Sequence, residues 1–379
     1  MLTLADRLTK GEYALYGYYW TLASLLLIFI NFGHKDAIFK FVSQLNTDCY
    51  SKLLASTVML AALICSITII ISWLANLNLM VIAILSASLL HVIHIVSAFN
   101  RGSQNYLLDA LAWPLYRTIW LGLLIVIILN VKSMSAIHVF ATSIVAALAT
   151  ILFTNTYRVT KIAKWSLDSL RFGVGNSTVR RFFYIELVTV FFMRLDMIFI
   201  NQFDMPAESI AGYFFSLQVY EAAIMLLMPI TYLFFNQYNR SISQHLRAAI
   251  LVKSAGLILL MFVSGLGLWL IFGEMILQAV FPKYLTAYDS ITVFVFALLP
   301  NAINALLSAF LFANHKESMF VKVCIVGVLV MILFDVTFIG HFGVNAVAYG
   351  RLFAEWSMSF LLIGITFKML RSFSVRKQK

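Results

Sequence analysis

The chain has 379 residues, of which 62% are apolar and only 11% charged, and its mean hydropathy is +0.93. A water-soluble protein of this size needs far more polar surface, so the composition excludes a soluble globule. The net charge of +11 resides mainly between the apolar runs, which argues against a nucleic-acid partner. The isolated cysteines Cys49, Cys65 and Cys324 form no metal-ligand pattern, so neither a metal nor a cofactor is expected.

Apolar runs long enough to cross about 30 Å of hydrocarbon recur along the whole chain. We interpret them all as helices, because an open strand edge is not tolerated in lipid and none of the runs alternates like a barrel strand. The sequence therefore predicts an all-α polytopic membrane protein of about eleven spans. The predicted spans are 13–33, 53–75, 79–99, 107–130, 135–157, 182–202, 210–235, 251–280, 288–313, 320–339 and 344–367.

The one long polar segment, 158–181, contains the sequence GVGN and predicts a linker between two lobes. It separates an N-terminal lobe of five spans, 1–157, from a C-terminal lobe of six spans, 182–379, which ends in a basic tail. Alternating the loops between two sides places twenty Lys and Arg residues on one side and four on the other. By the positive-inside rule the linker and the C-terminus are cytoplasmic, and the basic residues contact anionic lipid headgroups.

Several short motifs resemble the polysaccharide flippase family, which belongs to the multidrug, oligosaccharidyl-lipid and polysaccharide exporter superfamily. Residues 12–16 (EYALY) and 32–37 (FGHKDA) are similar to the family's second helix. Residues 194–196 (RLD) and 212–214 (GYF) resemble its seventh and eighth helices, and 342–348 (FGVNAVA) resembles its last. The resemblance implies two six-helix lobes with a MATE-like architecture. The family's first helix is the one not matched, and the topology independently predicts one more crossing before the first span.

This resemblance implies a transporter rather than an enzyme. It would flip undecaprenyl-pyrophosphate-linked oligosaccharide repeat units across the cell inner membrane by alternating access, for O-antigen (lipopolysaccharide) or capsular polysaccharide biosynthesis. Membrane lipids, a polysaccharide polymerase and a chain-length protein are the expected partners. A drug-cation antiporter of the same superfamily is the alternative. A membrane glycosyltransferase or polymerase is disfavoured because the chain has no catalytic motif or sizeable external segment.

Two arginines inside predicted spans are the candidates for substrate binding. An ion at the bilayer centre is costly and faces either a cavity or a partner. Arg117 lies near the middle of its span, three residues after Pro114, and Arg194 lies in the sixth span. A cationic cavity formed by Arg117 and Arg194 would bind the pyrophosphate of the substrate.

The remaining intramembrane ions are candidates for cation coupling or for structural roles. Arg351 and Glu355 are four residues apart on one helix, so local neutralisation is favoured. For Glu221 we expect a partner on another helix, Arg194 or Arg117. The full set is Asp196, Glu221, Glu186, Arg351 and Glu355.

Four further polar residues are given structural interpretations. Asp109 and Asp335 lie nearer helix ends, where a solvated or capping role is expected. His91 and His94 lie three residues apart on one helix face, and a hydrogen-bonded stripe is favoured over a metal site because no third ligand is near.

Overall fold

The computed structural model describes residues 2–131, 133–154, 161–203, 205–240, 244–314 and 316–375. Apart from short connections, the described residues are helical. In chain order the helices are α1 Leu2–Arg7, α2 Lys10–Asn31, α3 His34–Ser43, α4 Thr47–Leu74, α5 Asn78–Gly102, α6 Tyr106–Asn130, α7 Ala136–Phe153, α8 Leu167–Gly175, α9 Ser177–Gln202, α10 Ala207–Arg240, α11 Gln244–Val280, a short 3-10 helix Pro282–Ala287, α12 Tyr288–Ala313, α13 Glu317–Phe342 and α14 Val344–Val375.

Ten of the described helices are long and apolar enough to cross a membrane. They coincide with ten of the eleven predicted spans. The other predicted span, the sixth, is α9, which has 26 residues and so extends about 39 Å, more than the hydrocarbon thickness. It is less apolar than the rest because it carries Glu186, Arg194 and Asp196. The predicted all-α, multi-pass membrane architecture is confirmed.

The chain folds into two compact units that do not coincide with the predicted lobes. The first unit is Arg7–Arg194, and the second is Met1–Asp6 together with Leu195–Lys379. The division lies inside α9, whereas the sequence placed the linker at 158–181. The described part of that linker belongs to the first unit because it packs on α4. Residues 158–160 and the end of the basic tail, 376–379, lie outside the described residues.

The first unit has an apolar core where α3, α4, α5 and the start of α9 meet. The helix α3 contributes one face, because His34, Ala37, Ile38 and Val42 recur at helical spacing and are buried. The buried apolar side chains of this core are Ala37, Ile38, Val42, Leu53, Leu54, Ile95, Val96, Phe99 and Val179.

A sharp break between α2 and α3 fixes the position of that core. Phe32 and Gly33 both have positive φ angles, 45° and 72°. A Cβ atom on Gly33 would lie 2.4 Å from the carbonyl oxygen of Val179, so the backbone of α9 approaches where only glycine fits. This close approach brings Glu186 of α9 to the end of α2.

Before Tyr13 the structure contains the six-residue helix α1, about 9 Å long, which is far shorter than a span. Leu4 and Ala5 are buried in the second unit. The hydroxyl of Tyr284 donates to the carbonyl of Ala5 at 3.1 Å, and Nζ of Lys283 donates to the carbonyl of Asp6 at 2.7 Å. The helix is therefore attached to the second unit by its C-terminal carbonyls.

Candidate functional site

Arg117 is an exposed arginine close to the middle of α6. Its guanidinium carbon lies 5.5 Å from the ring centroid of Tyr116 and 5.6 Å from that of Trp120, so both rings offer it cation–π contacts. No carboxylate within the described ranges forms a salt bridge with it. The side chain therefore presents a positive charge without a described salt-bridge partner in the apolar middle of α6.

The aromatic rings beside Arg117 are held in place by hydrogen bonds within the first unit. The Tyr116 hydroxyl is 2.8 Å from Oγ of Ser143, which is in turn 2.7 Å from Oγ of Ser86. Both Tyr116 and Trp120 are buried. Because these partners lie on α5 and α7, the rings are fixed by neighbouring helices and support the guanidinium from one side.

Arg194, the second predicted substrate ligand, is half-buried on α9. It is the last residue of the first unit, and Asp196, two residues later, belongs to the second unit and is fully buried. Two residues turn an α-helix by about 200°, so these side chains point in nearly opposite directions. The salt bridge of Asp196 accordingly involves a different arginine.

Glu186 is part of a hydrogen-bonded network in the first unit. It accepts hydrogen bonds from the side-chain amide of Asn31 and from the backbone of Gly33. The carbonyl of Asn31 lies 2.7 Å from Nδ1 of His34, and Nε2 of His34 lies 3.0 Å from Oγ of Ser56. The network therefore links the carboxylate of α9 with α2, α3 and α4.

His34 occupies the centre of this network as a neutral ring. Burial lowers the pKa of His34 to about 4, so it is uncharged at neutral pH. Because a carbonyl can only accept, Nδ1 carries the proton and donates to Asn31, and Nε2 accepts from the hydroxyl of Ser56. The sequence motif contained His34 but gave no signal of this role.

In the second unit, Arg351 of α14 and Asp196 of α9 form a fully buried salt bridge. Nη2 of Arg351 lies 3.2 Å from Oδ2 of Asp196. The same carboxylate oxygen accepts from the Tyr213 hydroxyl at 2.6 Å, and the ring of Tyr220 lies 5.8 Å from the guanidinium carbon. The predicted local neutralisation of Arg351 by Glu355 did not anticipate this ion pair between helices.

Glu355 is held by three hydrogen-bond donors from other helices. Tyr220 donates through its hydroxyl at 3.2 Å, Asn301 through its amide at 2.8 Å, and Asn304 at 2.7 Å. The Ser359 hydroxyl orients Asn304 by donating to its Oδ1 at 2.8 Å. A carboxylate with three donors is well satisfied, which makes Glu355 a structural junction of α10, α12 and α14.

Asp335 is the buried acid that sequence analysis missed. The prediction of a solvated or capping role is wrong, because the residue is 0% exposed within α13. Neither carboxyl oxygen has a hydrogen-bond partner among the residues that the structure describes. A Cβ on Gly350 would lie 2.1 Å from Oδ1, so the carboxyl packs directly on the backbone of α14. Its position inside the apolar run 320–339 was the available signal.

The other polar candidates have local partners. The expected capping or solvated residue Asp109 accepts from Nε of Arg101 at 2.9 Å and from the hydroxyl of Ser97. Glu221 accepts a long hydrogen bond of 3.4 Å from Gln218 of its own helix. His91 lies 3.1 Å from the Thr57 hydroxyl, and the ring centroid of His94 lies 4.5 Å from that of Trp113. In the described part of the chain no group of His, Cys, Asp and Glu could hold a metal.

Comparison with solved structures gives matches over almost the whole chain. A multidrug resistance MATE family transporter of the MOP superfamily, in its inward-facing conformation, has a TM-score of 0.74 at 11% identity, covering 97% of this chain and 96% of that one. The lipid II flippase MurJ, inward closed, gives 0.75 at 14% identity and coverages of 94% and 81%. A MOP superfamily transporter from Pyrococcus furiosus gives 0.68 at 12% identity, with 98% and 92% covered.

The chain has the fold of the MOP-superfamily transporters. No family model matches the sequence, and no curated protein matches it. At identities this low the similarity shows the architecture, and function has to be argued from the side chains. The predicted MATE-like, flippase-like architecture is thereby confirmed.

Proposed function

We propose that the chain is a transporter that flips a lipid-linked oligosaccharide carrying a pyrophosphate, by alternating access, across the cell inner membrane. The fold supports transport, because both the MATE transporter and MurJ share it. The observation that carries the substrate class is Arg117, an exposed guanidinium near mid-helix with aromatic rings on one side and no described carboxylate partner. An exposed guanidinium of this kind favours an anionic substrate over a cationic one.

The buried arginine of the second unit, Arg351, supports this choice by contrast. Arg351 is neutralised by Asp196 and fully buried, so it has no charge to offer a substrate. Arg117 and the half-buried Arg194 are the intramembrane arginines that we assign to pyrophosphate binding. A pyrophosphate carries about two negative charges, and a membrane potential negative inside favours its outward movement by roughly 2.3 kcal/mol per charge per 100 mV.

On this proposal the sugars enter a polar cavity while the prenyl chain stays in lipid, and alternating access exposes the bound headgroup first to one side of the membrane and then to the other. The product would supply O-antigen or capsule synthesis, with a polymerase and a chain-length protein acting after it. The C-terminus would be cytoplasmic. A drug-cation antiporter is the competing function, and the buried carboxyl of Asp335 is the observation that favours it.

The decisive experiment is complementation of a flippase-null strain with Arg117 variants. Arg117→Ala should abolish surface-polysaccharide export at normal protein level, and Arg117→Lys should retain part of it, since lysine keeps the charge without the planar fork. Lys253→Ala, an exposed cation on α11, is the matched control and should export normally. Purified protein should bind farnesyl pyrophosphate, a short isoprenyl probe, and Arg117→Ala should lose that binding.

Full export by Arg117→Ala and Arg194→Ala at normal protein levels would contradict the proposed cationic substrate site. Protection of cells from cationic drugs by the wild-type chain, without any complementation of export, would instead establish the antiporter.

A further inference from the structure

The segment that contains α8 is attached firmly to the first unit by its inner side. The backbone N–H of Lys164 donates to the carbonyl of Ser51 at 3.1 Å, and Nζ of Lys164 forms a salt bridge of 2.9 Å with Asp48. Ser166 caps the helix by accepting from the backbone N–H of Ser169 at 3.1 Å. A Cβ on Gly173 would lie 1.9 Å from Oγ of Ser56, so the backbone of α8 at Gly173 packs directly against the Ser56 side chain of α4.

The outer side of the same segment exposes apolar and basic side chains together. Trp165 is 53% exposed, Leu167 70% and Val174 39%. The side chain of Arg171 is 83% exposed, and its nearest carboxylate oxygen, on Asp168, is 4.0 Å away. Arg180 and Arg181 are also exposed and lie in the first two turns of α9, which begins two residues after α8 ends. We call these six residues, Trp165, Leu167, Arg171, Val174, Arg180 and Arg181, the α8 strip.

The level of the α8 strip along the membrane normal follows from its contact with α4. Ser51 and Ser56 lie about 6 Å and 14 Å from the start of α4, which has 28 residues and so extends about 42 Å. The hydrocarbon layer is about 30 Å thick, so the first turns of α4 extend through the headgroup region. The α8 strip therefore lies near the boundary between headgroups and acyl chains.

We propose that the α8 strip is a binding site for anionic phospholipid headgroups. Trp at the interface, apolar side chains toward the acyl chains and Arg toward the headgroups is the arrangement of an interfacial amphipathic helix. Three exposed arginines within one short segment select an anionic lipid over a zwitterionic one. A solvated surface would not require an exposed tryptophan beside Leu167, and a lipid surface accounts for both the apolar and the basic residues.

Lipid quenching of Trp165 fluorescence tests the proposal on the full chain in vesicles. Two vesicle preparations contain the same mixture of phosphatidylglycerol and phosphatidylcholine, with brominated acyl chains on one lipid or on the other. The signal of Trp165 is the difference between wild type and Trp165→Phe. Brominated phosphatidylglycerol should quench this signal at least about twofold more than brominated phosphatidylcholine. The reason is that the anionic lipid is enriched at the α8 strip.

Replacement of Arg171, Arg180 and Arg181 by Gln should abolish the preference and leave quenching by the two lipids equal. The charge-matched control replaces Lys40, Lys253 and Lys316, exposed residues outside the α8 strip, by Gln and should keep it. Equal quenching by both lipids in the wild-type chain would overturn the proposal. Quenching of Trp165 by aqueous iodide but by neither lipid would also overturn it, and would indicate a solvated surface or a site for a soluble protein.

Discussion

The two units keep their polar side chains in different electrostatic states. In the second unit, Arg351 and Asp196 are ionised partners on different helices, and both are fully buried. In the first unit the buried centre is the uncharged ring of His34, while the cation Arg117 is exposed. The sequence shows an arginine inside an apolar run in both cases. The comparison shows that a salt bridge with a carboxylate on another helix, and not the residue type, decides whether a membrane arginine is structural or available to a ligand.

Breaking the ion pair of the second unit should have the largest effect on stability. Asp196→Leu or Arg351→Met leaves one buried charge without its partner, which should destabilise the protein by about 3–5 kcal/mol. Thermal unfolding of purified protein in detergent, with the membrane protein level measured beside it, would show the loss. The double variant Asp196→Leu/Arg351→Met should recover much of it, since no charge is then buried alone. Lys52→Gln, in an exposed ion pair, is the control and should change the melting temperature little.

If the double variant were no more stable than the two single variants, the salt bridge would not be the source of the effect. Loss of export by a double variant that is stable would show that Arg351 also serves transport, which would weaken the contrast between the two units.

The uncharged, buried ring of His34 in the first unit predicts a dependence of stability on pH. The pKa of His34 is lowered from 6.5 to about 4 in the folded chain, so the unfolded chain binds the proton more readily. Its contribution to stability is complete above pH 6.5 and is lost as the pH falls toward 4, by roughly 1.4 kcal/mol per pH unit. The melting temperature of wild type should therefore fall more steeply between pH 6.5 and 5 than that of His34→Gln. Parallel curves would contradict a buried neutral histidine.

Close packing around the same network should make Gly173 intolerant of a side chain. A Cβ there would lie 1.9 Å from Oγ of Ser56 and 2.7 Å from Nε2 of His34, so Gly173→Ala has to displace both. We expect a destabilisation of about 1–3 kcal/mol. Gly175 lies on the same helix with open space around its Cβ position, so Gly175→Ala is the matched control and should be neutral. Equal melting temperatures for the two variants would show that α8 is not packed at this distance.

The sequence predicted the spans well and the polar contacts poorly, for a physical reason. Span length and apolarity are local properties, so eleven helices could be placed without any tertiary information. A contact between distant segments is different: Glu12 accepts from the backbone N–H of Ala136 at 2.7 Å and so caps the start of α7, which no local pattern indicates.

Pairing between helices is not local, and the sequence could not supply it. Spacing on one helix suggested Glu355 as the partner of Arg351, and it could not indicate the salt bridge that Arg351 forms with Asp196 of α9. The division into compact units differs from the predicted lobes for a similar reason. The polar composition of 161–181 marks a connection, yet the contacts with Ser51 and Ser56 attach this segment to the first unit, and the contacts of Asp196 attach the end of α9 to the second.

Substitution of Asp335 by Asn should have the smallest effect of these changes on the stability of the second unit. Asp196 and Glu355 each have several donors, whereas neither oxygen of Asp335 has a hydrogen-bond partner in the described chain. An ionised carboxylate buried without a donor is costly, and an amide of the same shape removes the charge. Asp335→Asn should therefore leave the melting temperature within about 1 °C of wild type or raise it, whereas Glu355→Ala should lower it by leaving Tyr220, Asn301 and Asn304 unsatisfied. A large loss of stability in Asp335→Asn would show that the ionised carboxylate is part of the Arg351 ion cluster, and the second unit would then contain an ion triad in place of an isolated pair.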